Sequence, residues 1–291
     1  MNIGWHGVRF GLTLNRISSQ AIAIVFLLHS AISLALAPWV VGHEVNGLVG
    51  FGLGILIAAI YLGIVRFAFI TDADEKMQLI VFVILSIVVC QLVYAHPATL
   101  ERILTALGRI TPPVLLACCG LFFVGSILSI TPVGNILRWL FSAAALVVLF
   151  GAIVLTLEIT KIGGEIPVPA ILRDSPLYKF PQMFAVGLGC LGILFQALSL
   201  QQIARRFHDT ATEKYTLRFM VYHLFASAIV LGIDYLLRDH TTQPVITVGA
   251  HIFDSVTILA SAAIGLAVVI DGMWLSRAIG GAHDLINRQR G

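Results

Sequence analysis

Asp234, Arg238, His251 and Asp254 interrupt stretches that are otherwise apolar. An ionisable group at the centre of a bilayer costs at least ~2.5 kcal/mol unless it is paired or hydrated, so retained ones mark proton relays, ion paths or internal salt bridges. Asp234 and Arg238 are four residues apart, the spacing that brings two side chains together on one helix face. His251 and Asp254 are three apart and are expected to share a face by the same rule. His223 and Ser227 extend the first pair into a stripe, His223, Ser227, Asp234 and Arg238. A second polar side gathers Asn15, Ser18, Ser19, His29, Ser30 and Ser33. Carboxylates and imidazoles in such a row can pass a proton, with Arg238 holding Asp234 ionised. The same residues also suit a plainer role: a salt bridge between Asp234 and Arg238 at a helix end, with Asp254 hydrogen-bonded near the interface.

The remaining polar groups carry less. Arg66 and Asp271 fall near the inner ends of their apolar segments, where side chains reach the interface. Glu158 closes the fifth segment. Gln91, Tyr94 and Gln196 are single polar residues expected to hydrogen-bond within a bundle.

Nine histidines are many for so apolar a chain. His43, His96, His240 and His251 fall near the outer face, beside Glu44, Asp239 and Asp254, and imidazole with carboxylate suits zinc, copper or iron. No H-x-x-x-H spacing or histidine box is present, so no metal site is expected. Bis-histidine haem needs two histidines at one depth on neighbouring helices. His29 is central, His223 inner and His251 outer, and only a tilted helix levels His29 with His223. The sequence names no cofactor. Cys90, Cys118, Cys119 and Cys190 form no C-x-x-C pair and read as packing residues.

These groups must be positioned by membrane helices. Of 291 residues, 58% are hydrophobic and 11% charged, against about 25% charged in an ordinary soluble domain. Mean hydropathy is +0.96. This excludes a soluble globular enzyme, a disordered tail and a coiled coil. The net charge of +3 forms no basic stripe, so no nucleic acid is expected as a partner. About 20 apolar residues span a bilayer, and eight segments qualify: 17–41, 46–70, 76–96, 111–131, 134–158, 182–204, 216–238 and 246–271. The fold class is therefore all-α, a polytopic helical bundle forming one transmembrane domain over 1–291. The first segment, with its 24 or so apolar residues, is too long for a typical signal core and reads as a retained helix.

Lys and Arg bias sets orientation. With the N-terminus inside, twelve basic residues fall inside and six outside, which puts both termini in the cytoplasm. Residues 1–16 interleave Trp5 and Phe10 with Arg9 and Arg16 and read as an interfacial anchor. Residues 97–110 read as an amphipathic helix on the outer surface. Residues 159–181, rich in Pro and Gly, form the longest outer loop. Residues 277–291 read as a basic cytoplasmic tail suited to anionic lipid. Gly50 and Gly54, Gly187, Gly189 and Gly192, and Ser261 with Gly265 mark close helix contacts.

No motif fixes a reaction. The P-loop, the prepilin-peptidase G-x-G-D, the CDP-alcohol transferase aspartates and the rhomboid G-x-S-G are absent, and the eighth segment holds no lysine of the microbial-rhodopsin kind. The Cys119–Arg138 stretch lacks the following histidine that exosortase-type membrane proteases require. The sequence leaves enzyme activity open and leans against it. The leading expectation is movement of a small solute, ion or proton along a path between helices one, seven and eight, carried by Asp234, Asp254, His251, His223, His29 and Arg238. The alternatives are a non-catalytic subunit of a larger membrane assembly, such as a secretion or conjugation apparatus, and a haem- or quinone-linked redox subunit. The expected partners are the lipid bilayer and either a homo-oligomer or a membrane complex, in a bacterial-type inner membrane.

Overall fold

A computed structural model describes residues 3–44, 97–130, 134–163, 181–238, 246–248, 251–253 and 255–288. Its elements are α1 (Ile3–Glu44), α2 (Pro97–Leu128), α3 (Asn135–Gly163), α4 (Pro181–Arg206), α5 (Thr210–Arg238), β1 (Ile246–Val248), β2 (His251–Phe253) and α6 (Ser255–Arg288). Among the described residues, six helices are long and apolar enough to cross a membrane. Trp139 is 76% exposed and Phe225 68%. Faces of this kind are a liability in water and ordinary against lipid. This is a multi-pass membrane protein. Two of the eight expected spans, 46–70 and 76–96, lie outside the described residues, as do residues 164–180 of the long loop and the Gly50–Gly54 pair.

Contacts divide the chain into two units. The first joins Met1–Ala23, Pro112–Tyr235 and Asp271–Gly291, and the second joins Ile24–Thr111 and Leu236–Ile270.

In the first unit, neighbouring helices run antiparallel and approach through small residues. A β-carbon on Gly192 of α4 would come within 2.6 Å of Val148 Cγ2 on α3. Gly11 of α1 and Gly125 of α2 cross backbone against backbone, with no room for a β-carbon on either. The Ser18 hydroxyl donates to the Cys118 carbonyl at 2.8 Å. Against α6, Arg9 donates to Asn287 Oδ1 at 3.4 Å and Gln20 donates to Ser276 Oγ at 3.0 Å. A β-carbon on Gly272 would stand 3.0 Å from both the Ser19 carbonyl and Ala23 Cβ. Between α5 and α6, Trp274 meets the rings of Tyr222 and Tyr215 at 5.2 and 5.9 Å. The core beneath holds Val8, Leu12, Phe141, Leu200, Phe219 and Leu275.

One end of this unit is closed by a tight α4–α5 turn. His208 adopts a left-handed φ of 54°. Its amide bonds to the Arg205 carbonyl, and the Asp209 amide bonds to the Ala204 carbonyl at 3.0 Å, satisfying carbonyls that the helix end leaves free. Asp209 then caps α5: its carboxylate accepts from the Ala211 amide at 3.2 Å and the Thr212 hydroxyl at 2.6 Å. The Arg206 guanidinium lies 5.5 Å over the Trp5 ring, and Arg205 pairs with Glu213 at 2.6 Å. Gly134, with φ +133°, precedes α3, and a β-carbon there would stand 3.5 Å from Arg206 Nη1. Arg9, Arg138, Lys214 and Arg288 belong to the helix ends gathered here.

In the second unit, Gly265 of α6 packs against Ser30 and the Phe26 carbonyl of α1. His29 Nε2 stands 2.9 Å from Thr111 Oγ1. The two short strands pair antiparallel, Ile246 opposite Phe253 and Val248 opposite His251.

Several sequence expectations change. Residues 3–16 are no surface anchor: they form the first turns of α1, and Val8 and Leu12, one turn apart, are fully buried. Residues 97–110 are no separate surface helix, because α2 runs without a break through Pro112 and Pro113. The two prolines remove only two amide donors, and the apolar run beyond them keeps the helix going. The eighth helix does not start at 246. The β-branched residues Ile246-Thr247-Val248 and the sequence His251-Ile252-Phe253 pair as a ribbon, and α6 starts at Ser255. Nor is 277–288 a tail: α6 continues to Arg288, with Ala278, Ile279, Ala282 and Ile286 buried. Among the described residues, Gly192 makes a close contact, and a β-carbon on Gly187 or Gly189 would meet nothing within 4 Å.

Candidate functional site

The extension of α6 relocates one residue decisively. Asp271 sits at the middle of a helix running from 255 to 288, not at its end. It lies beside Gly272, which packs against Ser19 and Ala23 of α1, and is 8% exposed. Antiparallel packing of α5 on α6 brings His223 to the same level, with 2% exposure.

The two side chains meet. His223 Nδ1 stands 2.8 and 2.9 Å from the two carboxylate oxygens of Asp271. His223 Nε2 stands 2.8 Å from the carbonyl of Cys190 on α4. Phe219 covers the ring from one turn away, at 5.8 Å between centroids. The site is therefore a junction of α4, α5 and α6 within the first unit.

The acceptors determine where the protons lie. A backbone carbonyl can only accept, so Nε2 carries a hydrogen. Nδ1 faces a carboxyl group, and two arrangements satisfy both. In one, imidazolium donates to an ionised Asp271. In the other, a protonated Asp271 donates to the bare Nδ1 of a neutral ring. Both hold the same number of protons, and they differ by the shift of one hydrogen across a 2.8 Å contact. Both are also net neutral, the state that low-dielectric surroundings favour. Loss of one proton leaves a neutral imidazole donating to a carboxylate, with a net charge of −1. With a single N–H left on the ring, deprotonation gives up one of the two ring hydrogen bonds, either that to Asp271 or that to the Cys190 carbonyl, so the proton state of the pair is coupled to its contacts with α6 and α4.

The sequence stripe on α5 contained His223, but its partner was missed. The apolar segment 246–271 ends on Asp271 by hydropathy, which makes it an end residue, with Arg277 opening a basic tail. The signal lay in the sequence Ala278-Ile279-Gly280-Gly281-Ala282, which continues the apolar face past that arginine.

The other predicted residues are placed as follows. Asp234 and Arg238 are both on α5, four residues apart as expected, and their side chains lie outside the described set. His251 is in β2, so the helical face expected to join it to Asp254 does not form; Asp254 itself lies outside the described residues. His29 belongs to the second unit, near Thr111.

Three buried polar side chains of the first unit add to the site. Both polar atoms of Asn15, both of Gln196, and Ser126 Oγ find no hydrogen-bond partner among the described residues. All three residues have 0% exposure.

Among the described residues, no group of three His, Cys, Asp or Glu side chains lies together as metal ligands would. Both ring nitrogens of His223 are engaged, so a haem reading through His223 would require breaking one of these bonds. Comparison with family models, with curated proteins and with solved structures gives no match.

Proposed function

We propose that this protein moves protons, alone or together with a small solute, and that the His223–Asp271 pair is the site that binds and releases them. The observation that carries this reading is the pair itself, buried midway along α6, with both imidazole nitrogens held between α4 and α6. A buried ionic pair contributes little net stability, and apolar residues of the same volume often do as well or better. A proton-handling role accounts for its retention.

The path runs between α1, α5 and α6, the first, seventh and eighth spans of the sequence, with α4 as a further wall. Asp234, Arg238, His251 and Asp254 enter the proposal as its outer part on their sequence positions alone. His29 enters on the same footing. The full topology is eight spans with both termini in the cytoplasm of a bacterial-type inner membrane. The gathered basic ends of α1, α3, α4, α5 and α6 support an inward orientation for that end.

The test is proton flux into proteoliposomes holding purified protein and an internal pH-sensitive dye, driven by a potassium diffusion potential. Wild-type protein acidifies the lumen faster than empty vesicles, and Asp271→Asn does not. Equal rates for Asp271→Asn and wild type would remove the pair from the path.

A further inference from the structure

The pair has to be reached from one side, and the first unit contains polar groups without any evident use that lie on one side of it. Asn15, Ser126 and Gln196 are fully buried, and their polar atoms find no partner among the described residues. In a bilayer such groups are costly and are normally met by ordered water.

Their positions are not scattered. Gly272, next to Asp271, packs against Ser19 and Ala23 of α1. Asn15 is one helical turn from Ser19, towards the N-terminal end of α1. Ser126 follows Gly125, which lies directly against the Asn15 side chain. Gln196 is six residues beyond Cys190, about 9 Å along α4, towards Arg206. Arg206 in turn covers Trp5 near the N-terminal end of α1. All three residues therefore lie between the His223–Asp271 pair and the end that carries Arg9, Arg138, Arg205 and Arg206. Seryl groups on the same helices, Ser18, Ser19 and Ser199, are buried as well.

We infer that Asn15, Ser126 and Gln196 bind water and form the hydrated route by which protons travel between the basic end and the His223–Asp271 pair. The inference rests on the proposed proton-moving role of that pair. Each water accepts one proton on its oxygen and gives up another from a different O–H bond. The row is thus restored after each passage, and nothing is oxidised or reduced. The carboxamides of Asn15 and Gln196 are positioning groups: they hold water through a donor and an acceptor and need not titrate. The nearby charged and titratable groups have partners of their own. Arg16 is engaged with Ser276 at 3.3 Å. Tyr222 packs on Trp274.

The experiment compares proton flux in proteoliposomes for Gln196→Leu, Asn15→Leu, the double variant and Gln196→Asn. Leucine keeps the volume and removes the water-binding groups, so the folded state should survive, checked by a single gel-filtration peak and an unchanged or higher Tm. The expected result is at least about a tenfold loss of flux in the double variant, of the order lost with a proton-transfer group, and recovery of most of the rate in Gln196→Asn. A second reading follows deuterium exchange at the His223 ring in ¹⁵N-histidine-labelled protein, with His223→Phe used to assign the signal; exchange slows in the double variant. If the double variant keeps full flux and full exchange while Asp271→Asn loses flux, the route is wrong and the pair stands. If Asp271→Asn also keeps full flux, the pair itself is wrong and the route falls with it.

Discussion

His223 can be buried in an apolar bundle because Asp271 and the Cys190 carbonyl satisfy both of its ring nitrogens. Removing the ring alone leaves a carboxylate without its partner at 8% exposure. His223→Leu should therefore destabilise the protein by ~3–5 kcal/mol, whereas His223→Leu with Asp271→Leu should regain most of that loss. Denaturant titration in detergent micelles measures both, and a double variant no more stable than the single one contradicts the pairing. Asp209 offers a smaller effect at a helix start. Asp209→Ala should cost ~0.5–2 kcal/mol. The Thr212 hydroxyl, with the Ala211 and Thr212 amides and the charge of Arg288, holds the Asp209 carboxyl below the ordinary aspartate range. A lowered value means that the cap contributes above the unfolded pKa and is lost as pH falls through the folded one. The stability gap between wild type and Asp209→Ala should accordingly close on acidification below about pH 4, and a gap that is constant from pH 7 to pH 3 would contradict the cap. His223 was legible in the sequence because a lone imidazole in an apolar run stands out. Asp271 was not, because its significance depends on where the helix ends.

Glycines set how closely the helices of the first unit approach. At the α1–α2 crossing, Gly11 and Gly125 admit no β-carbon, and what obstructs it includes backbone. Gly125→Ala should force the helices apart and lower Tm by several degrees, a loss of roughly 1–3 kcal/mol from overpacking. Gly120→Ala, five residues earlier on α2, meets nothing within 4 Å among the described residues and should gain up to ~1 kcal/mol from helix propensity. Thermal scans of the two variants side by side decide the matter, and equal shifts would mean that the crossing is looser than described. The six described helices were legible because long apolar runs exceed what any other element can bury. Their ends were less so. Arg16 and Arg277 looked like boundaries, yet each lies within a helix whose apolar face continues past it. The β1–β2 ribbon was hidden for a related reason: hydropathy averaged over a window does not separate a buried strand from a buried helix.

For the whole molecule, the two questions are which way it faces and what crosses it. Arg9, Arg138, Arg205, Arg206, Lys214 and Arg288 lie at helix ends gathered on one side of the first unit, and that side is predicted to face the cytoplasm. Single cysteines introduced at residues 7 and 284 into a protein cleared of native cysteines should both resist a membrane-impermeant maleimide in intact cells and react in inverted vesicles. Labelling of either in intact cells reverses or breaks this topology. The membrane class was legible in the composition, because 11% charge cannot clothe a soluble domain of this length. The buried pair was only half legible, since His223 stands on one helix and its partner on another, and pairing across helices leaves no mark in spacing. The most direct test of the central claim is the rate at which a potassium diffusion potential acidifies proteoliposomes. The account predicts acidification by wild-type protein above that of empty vesicles, and its loss in both Asp271→Asn and His223→Phe; a rate equal to wild type in both variants would contradict it.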